Sequence, residues 1–296
     1  MIGDHKAFRR NAHMSHFPRR GHFIKSFGRF QAARKLYSRM QSMRPSEKIC
    51  FHPTNREASG LFVSPGSETY FEGLPVEDCV RDLKQQGISQ AFRLPERVVD
   101  RILSYAHGSR FRTDGGDEKR RIADLQVQRR SGEAMPARAI CTDIMGSAEI
   151  MSILTDRNIH ETAARYLGYR PKLCEVYLEV LFRATASEAE PGYQPFRYHY
   201  DIPGFGFIAF FFYLHAVDEH CGAHVMIRQS HTRKPLRLLL RSGQSAGELV
   251  NAYYDQTLEL TVTGPKGHGF AEDLYSFHKV LRPVRNDRLS LQIRFY

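Results

Sequence analysis

The chain has 296 residues, 42% of them hydrophobic, enough for one large or two ordinary domains with a substantial core. Its net charge of +11 suggests a nucleic-acid binder only until it is located: residues 1–45 carry 11 Lys/Arg against one Asp, and the rest carries 32 basic against 31 acidic residues. The basicity belongs to an N-terminal extension, so no specific nucleic-acid partner is expected.

No run approaches the roughly 18 apolar residues of a membrane span, and no signal-peptide h-region precedes a small-residue cleavage site. The five cysteines are odd in number, widely spaced and form no Cys-x-x-Cys pair, which reads as free thiols in a reduced compartment. A cytoplasmic location is the expectation.

In chain order, residues 1–45 hold four early histidines (His5, His13, His16, His22) and then an amphipathic pattern. Phe23, Phe27, Phe30, Tyr37 and Met40 recur at helical spacing among basic residues. Such a segment can lie weakly on an anionic surface, contact nucleic acid, act as a targeting peptide or pack on the domain that follows. That domain is expected over 46–296, with helical support at 74–167 and a β-core at 170–296. Leu74–His107 reads as two helices, opened by Pro75 and Pro95 and stopped by Gly87 and Gly108. Asp114–Gly132 reads as a charged surface loop or lid. Thr155–Leu167 reads as a third helix, capped by Thr155 or Asp156 and ended by Gly168.

Beyond Gly168 the apolar period changes to two. Strands are expected at Leu173–Phe182, Phe196–Asp201, Phe207–Leu214, Ala223–Arg228, Leu258–Val262 and at the C-terminus, with a loop at Ser187–Gln194. Short strands with turn signals between them indicate a sandwich or jelly roll. On the Phe196–Asp201 strand, His199 and Asp201 stand at i and i+2, so an imidazole and a carboxylate face the same side and can share a metal ion. His278 supplies a third candidate ligand. Arg288 follows ten positions later on a strand whose Leu289, Leu291, Ile293 and Phe295 form one face and whose Arg288, Ser290 and Gln292 form the other. Arg288 and Ser290 can therefore touch the same carboxylate.

The ordered set His199-x-Asp201, His278, Arg288-x-Ser290 resembles the Fe(II)/2-oxoglutarate-dependent dioxygenases, and Phe211 to His231 around it is similar to the phytanoyl-CoA dioxygenase family. The likeness covers roughly Leu74 to Tyr296, and departs from the family where Arg228-Gln229 replaces the usual Pro-Gly before Ser230-His231. It implies a mainly β (α+β) fold: a cupin-like double-stranded β-helix, or jelly roll, with flanking N-terminal helices. It implies Fe(II) held by His199, Asp201 and His278, the catalytic residues, with 2-oxoglutarate and O2 as co-substrates.

Arg288 and Ser290 would take the far carboxylate of 2-oxoglutarate, and Tyr177 would face the co-substrate. The expected reaction is hydroxylation of an aliphatic C–H in a small-molecule or acyl substrate, with release of succinate and CO2. The phosphates of an acyl-CoA would call on residues such as Arg183, Arg197 and Arg233; polar metabolites, glycan precursors and peptides stay equally open. The alternative is a non-catalytic jelly-roll binding module anchored by its basic tail. His215, His220, Cys221 and His224 match no common zinc spacing, and Glu219–Gly222 reads as a turn.

Overall fold

The computed structural model describes residues 27–43, 49–53, 61–63, 65–113, 116–130, 136–184, 194–202, 204–240 and 247–296. The four early histidines and most of the expected Ser187–Gln194 loop lie outside these. Among the described residues, α1 (Gln31–Ser42), β1 (Ile49–Pro53) and β2 (Leu61–Val63) come first. They are followed by α2 (Val76–Gln86), β3 (Ile88–Arg93), α3 (Glu96–Gly108), β4 (Phe111–Thr113), β5 (Lys119–Arg120), α4 (Ile122–Arg130) and β6 (Arg138–Cys141). Then come α5 (Ala148–Leu154), α6 (Arg157–Leu167), β7 (Leu173–Leu181), β8 (Ile208–Tyr213), β9 (His224–Ile227), β10 (Glu259–Val262), β11 (His268–Glu272), β12 (His278–Val280) and β13 (Arg288–Phe295).

The helix signals act as expected. Pro75 precedes α2, Glu77 and Asp78 occupy its first turn, and Gly87 ends it at φ 85° with its N–H on the Leu83 carbonyl. Asp156 caps α6 by accepting from the N–H groups of Asn158 and Ile159, and Gly168 ends it at φ 78°. The expected helix pair of Leu74–His107 differs in one respect: β3 lies between α2 and α3. Six residues pairing with a strand far along the chain leave too short a periodic signal to read locally. The expected loop at Asp114–Gly132 is corrected too, since β5 and α4 occupy much of it; Ile122 and Leu125 anchor α4 in the core.

The large sheet runs β3, β11, β8, β13, β7, β6, β4, β5, with β1 parallel to the edge of β7 and β2 on β1; the small sheet runs β10, β9, β12. From β7 onward the chain passes between the two sheets, β7, β8, β11 and β13 in one and β9, β10 and β12 in the other, which is the double-stranded β-helix. Tyr213 ties the sheets together, its hydroxyl donating to the Val262 carbonyl at 2.9 Å and accepting from the His224 N–H at 3.0 Å.

Strand alternation divides β13 as its sequence demands. Leu289, Leu291, Ile293 and Phe295 pack in the main core with Leu83, Val99, Ile102, Ile153 and Ile159 of the helices. Arg288, Ser290, Gln292 and Arg294 face the barrel interior, and Ser290, Gln292 and Arg294 stand in register with Glu179, Tyr177 and Glu175 of β7. The main core thus lies between the helices and the large sheet, while the interior sets these polar residues beside a second apolar cluster that includes Tyr213, Met226, Val262 and Phe270.

Of the alternatives for the basic extension, residues 27–43 pack on the domain. Arg34 donates to the His231 carbonyl at 2.8 Å and lies 3.5 Å from the Asp273 carboxylate, Ser38 donates to the Leu167 carbonyl, and Tyr37 stacks on Phe205 at 5.1 Å. From Phe27 on, the extension is part of the folded body, and a boundary at residue 45 cuts behind a docked helix. Among the described residues the helix runs Gln31–Ser42, and Phe23, where the expected pattern starts, lies outside them. Among the described side chains, Cys79, Cys141, Cys174 and Cys221 are buried and in no disulfide.

Candidate metal centre

The expected strand at Phe196–Asp201 is not a regular strand. Gln194–Phe196 is a short 3-10 turn, and His199 forms a single antiparallel bridge with His278. The bridge is reciprocal: each residue's N–H donates to the other's carbonyl, at 2.9 and 2.8 Å. Two backbone hydrogen bonds therefore set the two imidazoles side by side, ring centroids 4.3 Å apart. The Asp201 N–H donates to the Leu274 carbonyl at 2.9 Å and fixes the third side chain.

The donor set suits a cation. Nδ1 of His199 lies 2.8 Å from the Arg197 carbonyl and Nδ1 of His278 lies 3.0 Å from the Ser276 carbonyl. A carbonyl only accepts, so each Nδ1 carries the proton and each Nε2 keeps a lone pair for a metal. Burial, then the neighbouring His199 ring, hold His278 well below the usual imidazole range, which keeps it neutral. Burial would raise the Asp201 carboxyl; the Arg294 guanidinium 3.9 Å away, with the surrounding histidines, outweighs it and keeps the group ionised. The ligand atoms of His199, Asp201 and His278 all lie within 4.8 Å of one another, and this is the one such group among the described residues. The His215, His220, Cys221 and His224 cluster does not assemble, and Glu219–Cys221 is the expected turn.

Arg288 and Ser290 both face the barrel and do touch one carboxylate, but it is the chain's own Glu179. Arg288 Nη2 and Ser290 Oγ each approach Glu179 Oε1 at 3.4 Å, Arg138 Nη1 donates to Glu179 Oε2 at 3.3 Å, and Arg288 Nη1 donates to the Gly222 carbonyl at 2.5 Å. The Arg288 Nε–H is buried with no partner, so one donor of the fork remains open. Tyr177 faces the same interior, but its hydroxyl donates to Glu175 at 2.9 Å and its ring lies under the Arg294 guanidinium at 4.9 Å. Six strand positions, about 20 Å, separate Arg294 from Arg288. The two arginines serve opposite ends of the barrel, Arg294 beside Asp201 and Arg288 beyond His224.

Three further residues, Glu179, His224 and Glu272, stand in the interior beside the site. Glu179 was legible: Glu175, Tyr177 and Glu179 alternate with Cys174, Val176, Leu178 and Val180 along β7. His224 and Glu272 were not, since they lie on strands of different sheets. Their side chains meet at 2.6 Å, and the His224 ring stacks against His278 at 5.5 Å. Burial pushes His224 down to about 3 and the Glu272 carboxyl well up, so the interior favours the uncharged form of each partner.

No protein-family model matches the chain, and no curated protein matches it in sequence. Solved structures resemble it at low identity. The non-heme alpha-ketoglutarate-dependent epimerase SnoN from nogalamycin biosynthesis is 17% identical over 74% of this chain and 82% of its own, with a TM-score of 0.49. EvdO2 from Micromonospora carbonacea var. aurantiaca, complexed with 2-oxoglutarate, is 14% identical over 74% and 89%, with a TM-score of 0.47. AviO1 from Streptomyces viridochromogenes Tue57 is 14% identical over 75% and 95%, with a TM-score of 0.46. Likeness this distant leaves the chemistry to be argued from the site itself.

Proposed function

We propose that the chain is an Fe(II)- and 2-oxoglutarate-dependent oxygenase acting on a small-molecule or acyl substrate, with hydroxylation of an aliphatic C–H as its reaction. The observation that carries this is the triad, two histidines whose Nδ1 atoms rest on backbone carbonyls and one ionised carboxylate, with ligand atoms within 4.8 Å of one another. Three protein ligands on one face leave the opposite face for a bidentate 2-oxo acid and O2, the arrangement of non-haem iron oxygenases. Bound iron supplies the oxidising chemistry, with release of succinate and CO2.

The protein's share is orientation. Asp201 stays ionised beside Arg294, the His199–His278 bridge fixes both rings, and the open Nε–H of Arg288 faces a buried interior where a carboxylate can be held. The likeness to the phytanoyl-CoA dioxygenase family, drawn from the motif and its surroundings, supports the same reading. No helix among the described residues is long and apolar enough to cross a membrane; a cytoplasmic enzyme fits.

Glu179 favours a second reading, a non-catalytic jelly-roll binding module. A carboxylate built into the chain already pairs with Arg288 and Ser290, as a permanent occupant would. Anaerobic Fe(II) titration with an assay of succinate from 2-oxoglutarate separates the two. The oxygenase binds one iron per chain and forms succinate; a chain that binds iron but neither binds nor turns over 2-oxoglutarate is the binding module; a chain that takes no iron refutes the metal centre.

A further inference from the structure

A cleft of about 480 Å³ lies between α1 and the barrel, away from the metal ligands. Its volume is in the range of small-molecule sites. Lys35 and Arg39 line it from α1 and Lys84 from the last turn of α2, all three exposed. Asp273, the one lining carboxylate among the described residues, is already engaged: Arg34 lies 3.5 Å away, the Tyr275 N–H donates to it at 2.9 Å, and the Tyr166 hydroxyl donates to its other oxygen. The remaining three cations meet no carboxylate in the described structure and form one positive rim, where their fields add.

The rest of the lining mixes polar side chains such as Gln31, Ser38 and Thr232 with apolar and aromatic ones, among them Leu167, Tyr169 and Phe205. The Phe207 ring stacks on Tyr296 and lies 6.0 Å from the Arg294 guanidinium, itself 3.9 Å from Asp201. Tyr275 follows Leu274, whose carbonyl accepts the Asp201 N–H. One layer of side chains thus separates the cleft from the metal centre. Arg183, Arg197 and Arg233, the basic residues the sequence offered for phosphates, line no part of it.

We propose that this cleft is a second binding site, distinct from the metal centre, for an anion with an apolar body: the body lies in the cleft while a phosphate or carboxylate pairs with Lys35, Arg39 and Lys84. An apolar body in a cleft with apolar side chains in its lining gains contact area, and a rim of flexible ammonium and guanidinium groups selects for negative charge without dictating one oxyanion geometry.

The test is isothermal titration of 1-naphthyl phosphate, 1-naphthoate and neutral 1-naphthol into the metal-free full-length chain. We expect at least one anion to bind more tightly than 1-naphthol, to weaken with salt, and to lose at least tenfold in affinity in Lys35→Ala/Lys84→Ala while 1-naphthol is unchanged. The preferred anion distinguishes a phosphate from a carboxylate ligand. Lys35→Arg, which keeps the charge, retains binding and controls for folding. Equal anion affinity in wild type and the double variant, or no binding at millimolar concentration, overturns the proposal; so does loss of binding in Asp201→Ala, which would put the anion at the metal centre. Because no metal or turnover enters this titration, its failure leaves the iron reading standing, and failure of succinate release leaves the cleft standing.

Discussion

At the scale of single residues, the site makes two sets of claims. His199→Ala, Asp201→Ala and His278→Ala each remove one of three ligands, and two ligands do not hold the ion tightly. Each variant should keep its circular dichroism while losing most of its Fe(II) affinity in an anaerobic titration; unchanged binding in all three refutes the assignment. The second set concerns Arg288 and its carboxylate. Truncating one side of a buried charge pair costs about 2–5 kcal/mol, so Arg288→Ala should lower 2-oxoglutarate affinity at least tenfold. Glu179→Gln should act in the opposite direction, because it keeps an acceptor for Arg288 and Ser290 but removes the negative charge that competes with the co-substrate. A roughly tenfold gain in 2-oxoglutarate affinity is expected, about 1.4 kcal/mol, by titration with Mn(II) in place of Fe(II). Weaker binding in Glu179→Gln would show that this carboxylate orients Arg288 rather than competing for it.

At the scale of elements, α2 ends against the segment that carries the ligands. Gly87 sits at φ 85°, and a Cβ there would lie 2.7 Å from Ser276 Oγ and 2.8 Å from His231 Nδ1. A left-handed alanine alone costs about 1–2 kcal/mol, and both contacting side chains are buried. Gly87→Ala should therefore lower stability by about 2 kcal/mol or more, seen as a fall in Tm on the order of 5 °C. The docked helix α1 gives a second prediction. Deleting residues 1–45 removes the Arg34 contact to Asp273 and the Tyr37 stack on Phe205, and leaves Asp273 buried with less compensation. The truncated chain should melt lower than the full chain; an unchanged Tm would make the docking energetically idle.

At the scale of the whole molecule, the neutral interior pair links stability to pH. Glu272 is raised in the folded state above its ordinary 4.5, so its contribution is fully present below about pH 4.5 and is lost as pH rises towards the folded value. His224 is lowered from 6.5 to about 3, so its contribution is present above pH 6.5 and is lost as pH falls towards 3. These two groups therefore favour the fold most between about pH 4.5 and 6.5. Glu272→Gln removes only the alkaline loss: with chelator present, its Tm should exceed that of wild type at pH 8 and match it at pH 4. Equal Tm values at pH 8 would mean that Glu272 is ionised in the folded protein.

The sequence by itself determined the parts written in local periodicity and local chemistry. The glycine and proline stops of α2 and α6, the Asp156 cap and the two faces of β13 need only neighbouring residues to act. So do His199 and Asp201, two positions apart, which share a side whether they lie in a full strand or a single bridge. Tertiary structure decided what depends on partners far along the chain. β3 exists because β11 pairs with it, and His278 joins the triad because its backbone bridges His199. Glu179 reaches Arg288 through the register of β7 with β13, and His224 meets Glu272 from another sheet. α1 became part of the body because Asp273 and Phe205 offered partners for Arg34 and Tyr37, while the same basic pattern in isolation suited several surfaces. Periodicity tells each residue which side it faces; only the packing of distant elements sets what stands on that side.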